Sequence, residues 1–487
     1  MGSALPSLSS LRKQLSLPVQ TGYGWLKRKL VRHAIWDDDE FKRCFQRLQE
    51  TQWWTKERLE ELQLEQLRAL VRHAYENVPY YRRLLGGCRL TPDDILCLDD
   101  LQKLPITTKE DIRNNLGDFI PRNIDRSRLR YETTGGSTST PTSLYHDKYT
   151  VDSRERAFVI RQWNWAGYQR GDRIVEIRGS FVPRTSTKGQ RVWWDYDTVD
   201  NKLLLSAFDM SEVNMRAYVE KIREFVPKFI NATPSSLQIL VQFMRRNQIT
   251  GIGATAVFCE SETLPLWLRE MVEKEFGCKV FAGYGMTERV CDAVECECHE
   301  GYHVSMEYGI LELVDGGKRP IAEPGRIGRV VGTGFDTYCM PLIRYAMDDL
   351  AAYASDKCSC GRQSVLIRDF KGRIQELVVL KSGQVVSIHA IIAGHAAVWR
   401  KIRELRFVQE REGELVAEIA IASTEAESNI ARDFARDFAE RLPENELDLR
   451  VVIVDKLPRT GRGKLPFLEQ RLPVEFEDLD RARITTA

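Results

Sequence analysis

Four short stretches of the chain carry residues suited to phosphate and carboxylate chemistry. Residues 133 to 142 read Thr-Thr-Gly-Gly-Ser-Thr-Ser-Thr-Pro-Thr. Glycines let backbone amides point at phosphate oxygens, and the hydroxyls add donors. No Gly-Lys-Ser/Thr follows, so this is not a Walker loop. Taken alone, a Ser/Thr/Gly cluster is more often a plain loop. Three other segments accompany it: Gly283-Tyr-Gly-Met-Thr-Glu288, Arg344-Tyr345-Ala-Met-Asp-Asp349-Leu350 and Leu457-Pro-Arg-Thr-Gly-Arg-Gly-Lys464. Taken alone, a loop lysine such as Lys464 is usually just solvated. Two further clusters, Cys296-Glu-Cys298-His299-Glu-Gly-Tyr-His303 and Cys358-Ser-Cys360-Gly361, hold soft ligands. Cys and His suit tetrahedral zinc, and structural sites close with four of them. The plainer reading is free thiols, because Cys-x-Cys is less diagnostic than Cys-x-x-Cys.

These residues need a scaffold, and 487 residues supply a large core and more than one domain. Hydrophobic residues at 43%, charged residues at 29% and a net charge of +1 are an ordinary globular balance. No global field points to nucleic acid, and no basic recognition helix is present. The basic stretch Lys27, Arg28, Lys29, Arg32 alternates with Leu26, Leu30 and Val31, which reads as one solvated helix face. No run reaches the roughly 18 apolar residues of a membrane span. Met1 to Thr21 shows no signal-peptide pattern, and Pro6 breaks a myristoylation pattern. Eleven cysteines, an odd number, favour a reducing, cytoplasmic setting over a disulfide framework.

Residues 40 to 76 show apolar residues at helical spacing, and Asn77-Val78-Pro79 should end that helix. Beyond it, strands alternate with helices. Residues 174–178, 229–231, 256–258 and 279–281 read as strands, and 213–225, 237–247 and 264–276 as helices. That order predicts a mostly parallel sheet. After residue 372 the pattern changes to hairpins at 377–388 and 405–422, a helix at 424–442 and a strand at 449–454. The expected fold is α/β. A large N-terminal domain (61–372) of mostly parallel sheets and helices follows an N-terminal helical extension (1–60). A small, mobile α+β C-terminal domain (373–487) carries Lys464.

In this order and spacing, the four motifs resemble the acyl-adenylate-forming (AMP-binding) superfamily of ligases, luciferases and peptide-synthetase adenylation domains. Asn77-Val-Pro-Tyr-Tyr81 and Leu101-Gln-Lys-Leu-Pro-Ile-Thr-Thr-Lys109 are similar to its phenylacetate–coenzyme A ligase-like branch, which includes capsule-biosynthesis proteins and auxin–lysine ligase. The resemblance spans roughly residues 60 to 470. It implies that Thr134, Gly136, Ser137 and Thr138 hold ATP phosphates, that Tyr284 stacks on adenine, and that Gly285 and Met286 line the nucleotide. Thr287 would contact phosphate, Glu288 would ligate Mg²⁺, and Asp349 and Arg373 would reach the ribose and nucleotide. A hard carboxylate oxygen suits Mg²⁺. Lys464 would bridge the incoming carboxylate and the α-phosphate.

The resemblance also places an acyl pocket among Asn231, Thr233, Cys259, Glu260 and Gly283. It expects mostly apolar walls and a few fixed polar groups. It implies Cys296, His303, Cys358 and Cys360 as ligands of a structural Zn²⁺, with Cys298 and His299 as spare candidates. Ser139 and Thr140 stand where the family usually has glycine and lysine, Asp348 where it has glycine, and Gln375 where it has the hinge aspartate. The implied activity is conversion of a small carboxylic acid to acyl-AMP. The acyl group would then pass to coenzyme A or a carrier-protein thiol. Two alternatives stand beside it: an acid–amine ligase with an amine acceptor, and a degenerate, zinc-stabilised nucleotide-binding interaction protein.

Overall fold

The computed structural model describes residue 36 and residues 38–134, 142–178, 186–187, 190–191, 194–207, 210–373, 376–383, 385–388, 402–421, 427–439, 446–458 and 467–472. Gly136, Ser137, Thr138 and Lys464 lie outside the described residues.

The expected helix over 40–76 is two helices, Asp39–Thr51 and Lys56–Asn77. The break falls at Trp53-Trp54, where the Thr55 side chain accepts a hydrogen bond from the Arg58 amide and starts a new helix. Val78 is extended, as the following proline requires, and Pro79 opens the next helix, Pro79–Gly87. The helix Lys56–Asn77 runs across residue 60, where the sequence placed the end of the N-terminal extension.

The chain then forms β1 (Leu129–Thr133) and β2 (Ser143–Asp147), an antiparallel pair on either side of the Ser/Thr/Gly segment. After the helix Val151–Trp165 come β3 (Ile174–Arg178), the short pair β4 (Ser186–Thr187) and β5 (Gln190–Arg191), then β6 (Trp194–Asp197) and β7 (Lys202–Ser206). Helices Glu212–Phe225, Pro234–Arg246 and Leu266–Phe276 alternate with β8 (Phe229–Ala232), β9 (Ala256–Cys259) and β10 (Lys279–Gly285). β3 and β7 to β10 pair in parallel, as the alternating order demands.

Both faces of these parallel strands are buried, and the pleat sorts them. Val175, Ile230, Val257 and Val280 face the helices Glu212–Phe225, Pro234–Arg246 and Leu266–Phe276. Ile174, Phe229, Phe258 and Phe281 face the helix Val151–Trp165 and the N-terminal helix Asp39–Thr51.

From β10 onward the sheet turns antiparallel through β11 (Asp292–Glu295), β12 (Tyr302–Val304), β13 (Gly309–Val314), β14 (Ile327–Gly334), β15 (Tyr345–Tyr353) and β16 (Leu366–Arg373). Among the described residues, twelve strands form one sheet in the order β13-β14-β15-β16-β12-β11-β10-β9-β8-β3-β7-β6. The parallel and antiparallel halves meet at β10, whose end carries Gly283-Tyr-Gly285.

The C-terminal region is a smaller α+β unit. β17 (Leu377–Val379) and β18 (Val385–Ser387) form the expected hairpin. β19 (Ile402–Arg411), β20 (Glu414–Ile421), β21 (Asp448–Ile453) and β22 (Leu468–Gln470) form a second sheet, with the helix Glu427–Ala439 between β20 and β21. No helix among the described residues is long and apolar enough to cross a membrane.

Candidate active site and metal cluster

Motifs far apart in sequence meet at the end of β10. The Tyr284 hydroxyl donates to Asp349 Oδ2 at 2.8 Å, and its ring stacks on Phe370 with centroids 3.8 Å apart and planes 16° apart. Asp349 on β15 is the register partner of Arg373 on β16. Three predicted nucleotide residues, Tyr284, Asp349 and Arg373, therefore share one corner, Arg373 by its backbone position. Phe370, which the sequence reading missed, completes it; it lies three residues before Arg373 on the same strand.

Asp348 does not disturb Asp349. Successive strand residues point to opposite faces, and Asp348 is held by Lys109 and, at 3.3 Å, by Arg329. The two branch-specific motifs work on this same segment. The Tyr81 hydroxyl accepts from the Ile343 amide at 2.9 Å. Thr107 receives Ala346 N–H on its carbonyl, and donates its own amide to the Arg344 carbonyl. They clamp residues 343–346.

Thr287 lines a cleft of about 500 Å³ together with Tyr131, Glu132 and Thr133. Above it the Thr134 hydroxyl accepts from the Thr142 amide at 3.0 Å, and Thr134 N–H donates to the Thr142 carbonyl at 3.0 Å. Thr134 and Thr142 thus bring together the two ends of segment 135–141. Glu288 is 5% exposed, and its Oε1 accepts from the Tyr345 hydroxyl at 3.5 Å.

Its position is set by the backbone beyond it. Arg289 takes a left-handed conformation, φ 57°, and Val290 lies flat on β13 and β14. A Cβ on Gly309 would fall 2.3 Å from the Val290 carbonyl oxygen, and one on Gly334 2.3 Å from the Arg289 carbonyl oxygen. Only glycine admits the segment. Gly309→Ala is expected to lower stability by about 2–3 kcal/mol, an overpacking cost against backbone that cannot rotate away. A denaturant midpoint equal to that of the parent would contradict this.

On the other side of β10, the acyl-pocket candidates line up at the C-terminal ends of parallel strands, where open α/β sheets bind ligands. Ala232, Cys259 and Ala282 are register partners. Asn231 and Cys259 are buried, and Thr233 pairs with Ser236 through its hydroxyl. A Cβ on Gly283 would lie 3.1 Å from Gln162 Nε2 and 3.2 Å from Glu260 Cγ. The surroundings are less apolar than expected. Asp292 is the register partner of Gly285 and accepts from the Ser305 hydroxyl at 2.5 Å. Glu155 accepts from Tyr308 and pairs with Arg289 at 3.2 Å. Arg161 pairs with Glu307 at 2.9 Å. Burial pushes the Asp292 carboxyl up to about 7, with help from the nearby charges of Glu155 and Glu260. The Glu155 carboxyl is raised by burial too. Glu155 and Gln162 lie one heptad apart on the helix Val151–Trp165, a polar pair on a core-facing side that could have flagged them.

The implied metal ligands converge. Single ligand atoms of Cys296, His303, Cys358 and Cys360 all lie within 4.8 Å of one another. Cys296 Sγ and Cys358 Sγ are 3.5 Å apart, and Cys360 Sγ and His303 Nε2 3.4 Å. Tetrahedral ligands on bonds of about 2.3 Å sit about 3.8 Å apart, so the spacing fits zinc. Backbone N–H groups of Cys298 and Arg362 reach the Cys296 and Cys360 sulfurs, each at 3.4 Å. His303 Nδ1 meets Ser364 Oγ at 3.1 Å, which fixes its ring. The spare candidates fall outside this group: Cys298 offers its backbone, and His299 packs edge-on against Phe281. Cys296 follows β11 and His303 lies on β12, so turning the chain between these strands brings the two together.

No family model matches the chain. It is 26% identical over 403 residues to a phenylacetate-coenzyme A ligase of Thermus thermophilus, covering 80% of this chain and 86% of that protein. It is 23% identical over 409 residues to protein CapK of Staphylococcus aureus, covering 84% and 88%. Its fold matches the structure of 2-hydroxyisobutyryl-CoA ligase in the postadenylation state with R3-HIB-AMP, at TM-score 0.68 and 18% identity, over 88% of this chain and 92% of that one. The fold is that of the acyl-adenylate-forming ligases. The sequence relatives the chain resembles are phenylacetate-coenzyme A ligases and protein CapK.

Proposed function

We propose that the chain is an ATP-dependent ligase that converts a carboxylic acid to acyl-AMP, releases pyrophosphate and passes the acyl group to a thiol, coenzyme A or a carrier protein, in the cytoplasm. The observation that supports this most is the Tyr284–Asp349 contact, 65 positions apart in sequence, beside the Thr287 cleft. A nucleotide at this corner would stack its base against Tyr284 and Phe370. Its ribose hydroxyls would replace the Tyr284 hydroxyl on Asp349, with Gly285 and Met286 alongside and Arg373 next to Asp349. Its phosphates would run toward Thr134, Gly136, Ser137, Thr138 and Thr287. Glu288 offers buried carboxylate oxygens, the donor type Mg²⁺ takes, and that ion supplies charge neutralisation at phosphate oxygens. Lys464 would enter from the C-terminal unit, here assigned to residues 373–487 beside a large domain at 61–372 and a helical extension at 1–60.

On the acyl side, Asn231, Thr233, Cys259, Glu260 and Gly283 would frame the acid. Its carboxylate would lie near Thr287, in line with the α-phosphate. Cys296, His303, Cys358 and Cys360 would hold a structural Zn²⁺, because the group closes with four protein ligands and leaves no open position. The test is acid-dependent exchange of pyrophosphate into ATP in the presence of Mg²⁺. Exchange with at least one acid in a broad panel is expected. No exchange, together with no ATP binding by calorimetry, would exclude the reading.

A further inference from the structure

Hydrogen-bond acceptors stand beside Gly283 and Gly285, and the two arginines described near them are each in an ion pair. Arg289 pairs with Glu155, and Arg161 with Glu307 and the Ser305 hydroxyl. Asp292 has no ion-pair partner among the described residues: one oxygen accepts from Ser305, and the other faces Gly285, 3.7 Å from where a Cβ would stand. Glu155 keeps 41% of its side chain accessible. Its accessibility beside the buried Tyr308 marks a gap at this wall rather than a filled core.

A second observation points the same way. Gln162 is 1% exposed. Its Nε2 donates to the Ala282 carbonyl at 3.3 Å, which fixes the amide's orientation. Its Oε1 accepts no hydrogen bond among the described residues and lies 3.6 Å from the Cβ position of Gly283. A buried acceptor without a donor costs stability, and an apolar occupant would leave that cost in place. Asp292, a carboxylate without an ion-pair partner among the described residues, adds a demand for positive charge. An ammonium group, with three donors and one charge, meets both.

We infer that the acid activated here carries a protonated amino group, held by Asp292 and the Gln162 carbonyl on the face of β10 that Gly283 and Gly285 leave open. This rests on the adenylation reading and names its substrate class. An aryl or alkyl acid without a donor would face the same wall unpaired. Ionised Asp292 is the form that pairs with ammonium, and binding such a group would pull its carboxyl back toward the ordinary range.

The test uses pyrophosphate exchange with matched pairs of acids, in which an ammonium replaces a methyl: β-alanine against butanoate, 5-aminopentanoate against hexanoate, and 4-(aminomethyl)benzoate against 4-ethylbenzoate. In at least one pair the amino member should show a kcat/KM higher by about tenfold to a hundredfold, the value of a charge-assisted hydrogen bond. Asp292→Asn keeps an acceptor for Ser305 and should pull that preference down toward unity with the KM for ATP unchanged. Equal rates within every pair, a preference for the neutral members, or no exchange with any amino member while ATP still binds would overturn the inference and leave the adenylation reading standing. Loss of both exchange and ATP binding across all probes would overturn the two together.

Discussion

Lys464→Ala is expected to lower adenylate formation by about 10²–10³-fold, the cost of removing a fixed charge that meets charge developing in the transition state. Lys464 lies in a glycine-rich segment pinned at both ends. Leu457 is buried and donates its amide to Glu404 Oε2 at 3.4 Å. Leu468 is buried too, on β22 against Phe407 of β19. The anchors bear the packing, so the variant should fold with an unchanged melting temperature. The family resemblance implies that the small unit turns between an adenylating pose and a second pose for acyl transfer, and that Lys464 enters only in the first. The variant should then still consume chemically supplied acyl-AMP in the presence of its acceptor. Equal loss of both half-reactions would mean a structural role, and unchanged adenylation would mean that the catalytic lysine lies elsewhere.

Cys358→Ser should have the largest effect on stability. The parent is expected to carry one zinc per chain by elemental analysis, and the variant much less, with a melting temperature lower by about 5–10 °C, roughly 2–4 kcal/mol for a large domain. Without a metal, burial pushes the Cys296 thiol up to about 12 and raises that of Cys358. A dication would favour the thiolates and bind them, so the site and the ion depend on each other. The two loops also meet through Arg362 with Glu297 at 2.9 Å and through Ser359 with Glu300 at 2.7 Å. Arg362 lies over Trp165 at 4.1 Å, with Gln52 and Trp53 of the N-terminal segment close by. Loosening the cluster should therefore also loosen the N-terminal helices. A parent protein without zinc, with Cys358→Ser melting alongside it, would rule the site out.

The parallel strands were legible because each is a short apolar run set between helices of 3.6-residue period, and the Gly283–Glu288 motif sits at the end of β10 as its type required, whereas Asp349 lies in the middle of β15. The antiparallel half of the sheet was not, because β13 and β14 carry glycines whose purpose, room for the Arg289–Val290 backbone, exists only once the strands pair. Trp53-Trp54 hid a helix break, since both residues continue an apolar pattern and only the Thr55 cap ends it. The carboxylates beside Gly283 were missed for a similar reason. Glu155 and Asp292 are 137 positions apart in number, and their shared neighbourhood depends on a helix crossing the sheet at β10. By contrast, the matched motif favoured four metal-ligand candidates out of six but left Cys296 and Cys298 open, and the folded chain brings Cys296 to the group.

The account stands most directly on the fate of the α-phosphate. ATP labelled at that phosphorus, incubated with Mg²⁺ and a competent acid but no acceptor, should yield a labelled acyl-AMP at about one equivalent per enzyme, with pyrophosphate released and no ADP. Recovery of labelled ADP, or of unchanged ATP with an acid that binds, would contradict it.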